Sequence, residues 1–268
     1  MMSACAVAIP IYQPELKPLE RFSLDYSVAR LQGRHLCFVA PKNLDVRYYE
    51  RHFPGVAFER FEDEYFASIK GYNRLLLSPG FYQRFADHEF TLILQTDAIL
   101  LKDDLDAWCA RPYDYVGAPW PEGLEVFVNL GRYAGAFGKR VKVHVGNGGL
   151  SLRRNAKCVG LLQEFTEATT MFLQSGSSED LFFAIMGSLS EDFLIPNENL
   201  ASRFALELKP EHYHALHGGR LPMGGHAWWR YNPQFWVQHL SERPPLGPEH
   251  RGSSGVGASR VVMTRVAA

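Results

Sequence analysis

Two apolar runs, each stopped by a proline, constrain the fold of this chain more than any other feature. Ala4-Cys5-Ala6-Val7-Ala8-Ile9-Pro10 and His35-Leu36-Cys37-Phe38-Val39-Ala40-Pro41 lack the polar alternation of a strand with one wet face. Continuous runs of this kind belong to strands covered on both faces of a parallel sheet. Parallel neighbours need a crossover, and Leu24, Val28 and Leu31 recur at helical spacing between the runs, with Gly33 where a stop belongs. The pattern predicts a β-α-β unit with a right-handed crossover. Residues 56–61 read as a third strand, 68–85 as helical turns broken around Ser78-Pro79-Gly80, and Thr91-Leu92-Ile93-Leu94-Gln95 as a further β-rich run. The fold class is α/β, and 268 residues are enough for one large domain with a sizeable core.

Beyond residue 97 the periodicity weakens. Residues 113–120 read as a short strand ending in Gly117-Ala118-Pro119-Trp120, and 121–140 as an irregular stretch suited to an acceptor loop. Val141-Lys142-Val143-His144-Val145 alternates before Gly146-Asn147-Gly148-Gly149, which predicts a strand entering a tight glycine turn. Residues 155–174 and 179–186 read as helices, the second with Ser177-Ser178 as N-caps and Glu179 and Asp180 in its first turn. The segment 242–260 is rich in Pro, Gly and Ser, the composition of a mobile tail. No repeat is visible, which excludes solenoids and propellers.

Composition removes several function classes. With 28 basic against 29 acidic residues the formal charge is −1, so a nucleic-acid binder relying on phosphate neutralisation is not expected. The 4 cysteines, Cys5, Cys37, Cys109 and Cys158, lie far apart with no CxxC pair, which suits neither a disulfide framework nor a zinc knuckle. The first apolar run is too short to span a membrane and has no basic leader. A cytoplasmic setting is the expectation. Trp120, Trp228, Trp229 and Trp236 all stand near Gly or Pro, as platforms for sugars or bases or as lids on a core.

Three constellations can carry chemistry. Gln95-Thr96-Asp97 follows a buried strand, where ligands of open α/β sheets gather, and a carboxylate there can hold a hard divalent cation on a diphosphate; alone it is equally a turn former. Gly218-Gly219-Arg220 and Gly224-Gly225-His226 are two glycine-rich turns, each followed by a cation or imidazole, suited to phosphate oxygens and to a nitrogen ligand for Mn²⁺. His212, His214, His217 and His226 cluster without zincin or zinc-finger spacing, and at least two of them read as structural. The third constellation joins Gly146-Asn147-Gly148-Gly149 to Ser178-Glu179-Asp180: glycine admits a close backbone approach, and a carboxylate at a helix N-terminus is expected to stay ionised as a general base. Plain capping by Glu179 and Asp180 is the competing reading.

Taken in order, the Ile-Pro first strand, Gln95-Thr96-Asp97, Tyr115-Val116-Gly117-Ala118-Pro119-Trp120, Gly146-Asn147-Gly148-Gly149-Leu150-Ser151-Leu152-Arg153, Ser178-Glu179-Asp180-Leu181-Phe182 and His226 resemble nucleotide-sugar glycosyltransferases of the GT-A fold. More narrowly, they resemble a bacterial group in that superfamily catalogued as a domain of unknown function. The resemblance covers about residues 4–240. It implies a Rossmann-type three-layer sandwich with a mostly parallel central sheet, one catalytic domain over 1–240 with a nucleotide half to about 120 and an acceptor half beyond, and a flexible tail over 241–268. It implies a UDP-linked sugar donor, a glycan or lipid-linked glycan acceptor, peripheral contact with a membrane surface, and a place in bacterial surface polysaccharide synthesis. Asp97 matches the second acid of the family's Asp-x-Asp metal motif and His226 a late histidine ligand, for Mn²⁺ or Mg²⁺; Gln95 stands where the first acid would be. By the same resemblance Asp180 is the acceptor-activating base, with inversion favoured over retention. Pro10, Ile11 and Tyr12 fall near the nucleotide base, Lys70 and Asn73 approach the donor, and Gln95, Thr96, Gly148, Gly149 and Gly225 line it. The competing functions are an inactive glycan- or nucleotide-binding protein of the same fold, made credible by Gln95, and a glycoside hydrolase with Asp97 and Asp180 as paired carboxylates.

Overall fold

A computed structural model describes residues 4–246; the tail expected over 241–268 lies outside the described residues from 247 onward. The anticipated β-α-β unit is present as β1 (Cys5–Pro10), α1 (Pro18–Val28) and β2 (His35–Pro41), parallel, with Ala6 opposite His35 and Ile9 opposite Phe38. After α2 (Arg47–His52), β3 (Ala57–Phe61) extends the sheet outward beside β2. Helices α3 (Ile69–Leu76) and α4 (Pro79–Gln83) are separated at Ser78, whose side chain caps α4 by accepting from the Gly80 N–H. Strand β4 (Phe90–Leu94) then returns to pair in parallel with β1. With β6 (Tyr115–Val128) and β7 (Lys139–Arg154) added, the six-stranded sheet runs β3-β2-β1-β4-β7-β6, parallel through β4 and antiparallel at β7 and β6. Every residue of β1 and β4 is buried, and removing each large apolar side chain from water contributes about 1.5–3 kcal/mol.

Helices cover both faces. One core joins Leu75, Phe81, Phe182 and Phe183 to one side of the sheet, with α6 (Asn155–Glu164) and α8 (Glu179–Leu189) packed there. The other joins Val7, Ile9, Leu24 and Phe38 on the opposite side, under α1, α2 and α5 (Leu105–Cys109). This is the three-layer, mostly parallel architecture expected.

The second half departs from expectation in two places. The stretch 121–140 is only in part a loop: β6 and β7 form a long antiparallel hairpin, with Leu124 opposite Val143 and Val128 opposite Lys139, and the irregular part is the connection 129–138 with its two short turns at Gly131–Tyr133 and Gly135–Phe137. Strand signals there are masked by Pro119, Pro121 and Gly123, which fall where the register shifts between Val116 and Leu124; prolines and glycines of a strand sit at such irregularities. Nor is Gly146-Asn147-Gly148-Gly149 a turn. It lies inside β7, which continues through Leu150 and Leu152 to pair with β4.

After α8, α9 (Glu198–Ala201), β8 (Ala205–Leu206), α10 (Pro210–Leu216), β9 (Gly224–Gly225) and α11 (Pro233–Val237) complete the described chain. A small sheet, ordered β5-β9-β8, ties β5 (Ile99–Leu100) to this late segment. Trp228 and Trp236 are fully buried in a third core with Tyr26, Leu206 and Tyr213, and the Trp228 indole N–H donates to Ser23 Oγ at 2.8 Å. All three late tryptophans, Trp228, Trp229 and Trp236, are therefore core residues rather than platforms. Among the described residues no helix is long and apolar enough to cross a membrane.

Candidate active site at the carboxyl ends of β1 and β4

The strand that delivers Asp97 ends at Leu94, and the next residue still belongs to the ladder: the Gln95 N–H donates to the Gly149 carbonyl at 3.0 Å. The Gln95 side chain and Asp97 thus leave the sheet beside the middle of β7. His226 reaches the same point from β9, whose pairing to β5 and β8 fixes it; the His226 N–H donates to the Leu206 carbonyl at 2.9 Å. Its Nε2 lies 3.2 Å from Asp97 Oδ1 and 3.2 Å from Gln95 Oε1, while Nδ1 lies 3.2 Å from Glu207 Oε2. Arg230, exposed, places Nη2 at 3.4 Å from Asp97 Oδ2. Burial works against charge on the imidazole, but hydrogen bonds and charges from Asp97 and Glu207 outweigh it and raise its pKa to about 10. Burial likewise opposes charge on Asp97, and His226 and Arg230 overcome it and hold the carboxyl below its usual range.

Around His226 Nε2 the donor set suits a hard cation. Neighbouring ligands of an octahedral Mg²⁺ or Mn²⁺ stand about 3 Å apart for bonds near 2.1 Å, close to the separations of Asp97 Oδ1 and Gln95 Oε1 from Nε2. Glu207 on Nδ1 is the outer carboxylate that orients a ligating imidazole. Among the described residues no three His, Cys, Asp or Glu side chains cluster as a metal site. A cation here would take Asp97, His226 and the amide oxygen of Gln95, and would replace the Nε2 proton.

The glycines of β7 explain how the rest of the site assembles. A Cβ on Gly149 would fall 2.1 Å from His226 Nε2; one on Gly148 would fall 2.7 Å from Glu179 Oε1, 2.9 Å from Arg153 Nη2 and 3.3 Å from Asp180 Cβ; one on Gly146 would fall 2.1 Å from the Trp120 ring. These residues have no side chains because three groups close on the strand there, which differs from the turn role read from sequence. Arg153, fully buried, bonds Glu179 Oε1 at 2.7 Å, Tyr82 Oη at 3.1 Å and Ser151 Oγ at 3.0 Å. Glu179 is therefore committed to an internal ion pair.

Asp180 is the carboxylate left over. Burial, followed by the charge of Glu179, raises its pKa to about 7, against a Ser178 hydroxyl bond, the Leu181 N–H and the charge of Arg153. The expectation of a permanently ionised helix-start carboxylate is corrected: loss of water and an adjacent like charge outweigh the helix terminus. Ser178 is the N-cap by position, but its hydroxyl donates to Asp180 Oδ1 rather than capping a backbone N–H.

Several expected site residues do other work. Pro10 is the buried last residue of β1 and Ile11 is 1% exposed in the core, whereas Tyr12 is 55% exposed within the electrostatic reach of Asp97 and Arg230. Thr96 is buried. Lys70 lies along Gly176 and donates to the Gln174 carbonyl at 2.9 Å, tying α3 to the end of α7 (Thr166–Ser175), and Asn73 is buried in α3. Gly225 is glycine because a Cβ would strike Trp236 at 2.1 Å, not to admit a donor. Of the other late histidines, His217 pairs with Ser202 Oγ at 2.8 Å and His214 packs on Phe235. Tyr72 and Glu207 were not read from the sequence: burial, then the charge of Glu179, raises the Tyr72 pKa, and Glu207 holds His226. Only Glu207's place at the end of β8 could have marked it.

With this geometry fixed, comparison places the chain among known proteins. A family described as "Protein of unknown function (DUF5672)" matches residues 55–226. No curated protein matches the sequence. Among solved structures, an active-site mutant of LgtC aligns at a TM-score of 0.51 and 14% identity, covering 94% of this chain and 92% of that one, a likeness of fold. The apo form of the glycosyltransferase GlyE of Streptococcus pneumoniae aligns at 0.43 and 15% identity over 83% of this chain and 54% of that one, so this chain spans about half the length of GlyE. Mouse xyloside xylosyltransferase 1 aligns at 0.48 and 11% identity over 82% of this chain and 96% of that one. The fold is GT-A-like, with a mostly parallel central sheet.

Proposed function

The chain belongs to the DUF5672 family, and from that premise and the site just described we propose that it is a glycosyltransferase that moves a sugar from a nucleoside diphosphate, UDP first, to a glycan hydroxyl. The observation that carries this reading is the meeting of two unlike centres on one glycine-rich strand: a cationic, oxygen-lined centre at Asp97, His226 and Arg230, and a carboxylate near neutrality at Asp180. The first suits a diphosphate, the second an acceptor proton.

In this reading Tyr12 lies on the nucleotide side and Arg230 meets the diphosphate oxygens. Asp97, His226 and Gln95 Oε1 would hold Mn²⁺ or Mg²⁺, which when bound would supply positive charge to offset that of the departing diphosphate. Asp180 takes the proton from the acceptor hydroxyl as its oxygen bonds the anomeric carbon and the bond to the diphosphate breaks, an inverting displacement. Glu179 and Arg153 hold the start of α8 in place without touching substrate. The acceptor class is a glycan, free or lipid-linked, in a cytoplasmic setting of surface polysaccharide synthesis. A second reading, an inactive binding protein of the same fold, is favoured by the single observation that Gln95 replaces an acid.

Calorimetry with UDP tests the donor centre. Asp97→Ala is expected to weaken UDP at least about tenfold in the presence of Mn²⁺, with a smaller loss in chelator. Equal affinity of variant and parent under both conditions removes Asp97 from the donor site. Retained UDP binding with no transfer from any donor to a panel of acceptors would select the binding-protein reading.

A further inference from the structure

Trp120 packs half-buried at the edge of the first core, and the reaction above does not use it. It stands where β6 shifts register against β7, half-buried, with its six-membered ring over Gly146. A methyl group at Gly146 would come within 2.1 Å of that ring, so the strand is bare of side chain where the indole rests on it. The Gly146 backbone is itself fixed by the Tyr115 hydroxyl, which donates to its carbonyl at 2.5 Å. The Trp120 indole N–H makes no hydrogen bond within the protein among the described residues, in contrast to that of Trp228, and it is not among the buried polar atoms left without a partner, so it is open to solvent. A half-buried indole of this kind presents apolar ring beside an accessible donor.

Position decides what such a surface would hold. Gly146 and Gly148 are two residues apart on β7, about 7 Å or less along a strand; a Cβ on Gly148 would fall 3.3 Å from Asp180 Cβ, so the Asp180 side chain starts beside Gly148 as Trp120 lies over Gly146. The two side chains are therefore about one sugar ring apart. The nucleotide side, at Tyr12 beyond β1, is three strands from β6 in the order β1-β4-β7-β6, roughly 14 Å at ordinary strand spacing. The diphosphate centre at the end of β4 lies between them. A base held near Tyr12 does not reach Trp120, whereas an acceptor presenting a hydroxyl to Asp180 lies against it.

We propose that Trp120 is the platform of the acceptor subsite, stacking on the apolar face of a pyranose whose neighbouring hydroxyl is turned to Asp180, with the indole N–H donating to a ring substituent. This rests on the glycosyltransferase reading for its role but not for its binding chemistry. The test titrates the parent, Trp120→Ala and Trp120→Phe with methyl α- and β-glycosides of glucose, galactose and N-acetylglucosamine by saturation-transfer NMR, and separately with UDP by calorimetry. The expected result is binding of at least one glycoside by the parent, a loss of about tenfold or more in Trp120→Ala, partial retention in Trp120→Phe, and UDP affinity within about twofold throughout, which also reports intact folding. Glycoside affinity unchanged in Trp120→Ala, or no glycoside bound by a parent that binds UDP, overturns the proposal. So does a selective loss of UDP in Trp120→Ala, which would make the indole a base platform. If the parent binds a glycoside through Trp120 but no nucleotide, the donor reading fails and this one stands.

Discussion

At Asp180 two physical effects pull in opposite directions. A helix N-terminus favours a carboxylate, while burial beside Glu179 disfavours it, and the second wins, giving a pKa of about 7. Glu179, its neighbour in sequence, is spoken for by Arg153. Asp180→Asn removes the proton acceptor while keeping size, so transfer is expected to fall about 10²–10⁴-fold with UDP affinity near normal. A base must be ionised, so parental transfer should rise with pH through about 7, and the residual rate of the variant should lack that step; a parental profile flat from pH 5.5 to 8.5 would remove Asp180 from the role. Stability moves the other way. A carboxyl whose folded pKa is raised stabilises the fold fully below its ordinary pKa near 4 and loses that contribution as pH rises through about 7. The stability difference between parent and Asp180→Asn, measured in urea at pH 5 and pH 8, should therefore shift in favour of the variant at the higher pH. Asp97, Asp180 and His226 could be picked out as candidates from residue type and place, but which of two adjacent carboxylates is left unpaired could not, since that depends on Arg153, distant from both in sequence.

At the scale of the element, β7 carries the site because it carries so few side chains there. Its glycines looked like a turn, as glycines next to an alternating strand usually are; only the approach of Trp120, Glu179 and His226 from three different elements gives them their meaning. The buried Arg153–Glu179 pair welds α8 to this strand. Removing one partner leaves an uncompensated buried charge, so Arg153→Met is expected to destabilise by about 3–5 kcal/mol, and the double variant Arg153→Met with Glu179→Leu by clearly less than the sum of the singles. Urea unfolding of the four proteins measures this. Additive losses would mean that the pair is not a coupled unit. The sequence marked parts of the β6–β7 hairpin, at 113–120 and 141–145, but its extension over 121–128 escaped for a related reason: its prolines and Gly123 sit at register shifts, where strands tolerate them.

Across the whole molecule, the late segment bearing His226 is part of the fold. Glycines on its amino side suggest a hinge in the sequence, yet Met223, Gly224, Gly225 and Trp228 are buried and β9 is hydrogen-bonded between β5 and β8. Hydrogen exchange at the Gly224 and His226 amides, which donate to the Phe204 and Leu206 carbonyls, is expected to be slow without nucleotide and little changed by it. Fast exchange that UDP suppresses would restore a closing segment. The sequence alone determined the parallel half-sheet, because strands buried on both faces must be apolar along their whole length, and it determined Asp97 as a strand-end group, because β4 stops where polarity begins. It also carried the order of motifs that identifies the fold. What only the tertiary structure decided is which side chains meet: Gln95 and Asp97 with His226, Glu179 with Arg153, Trp120 with Gly146. Periodicity reports the surroundings of each residue along its own element, whereas these contacts join elements far apart in the chain, set by sheet order and by the absence of Cβ atoms on β7.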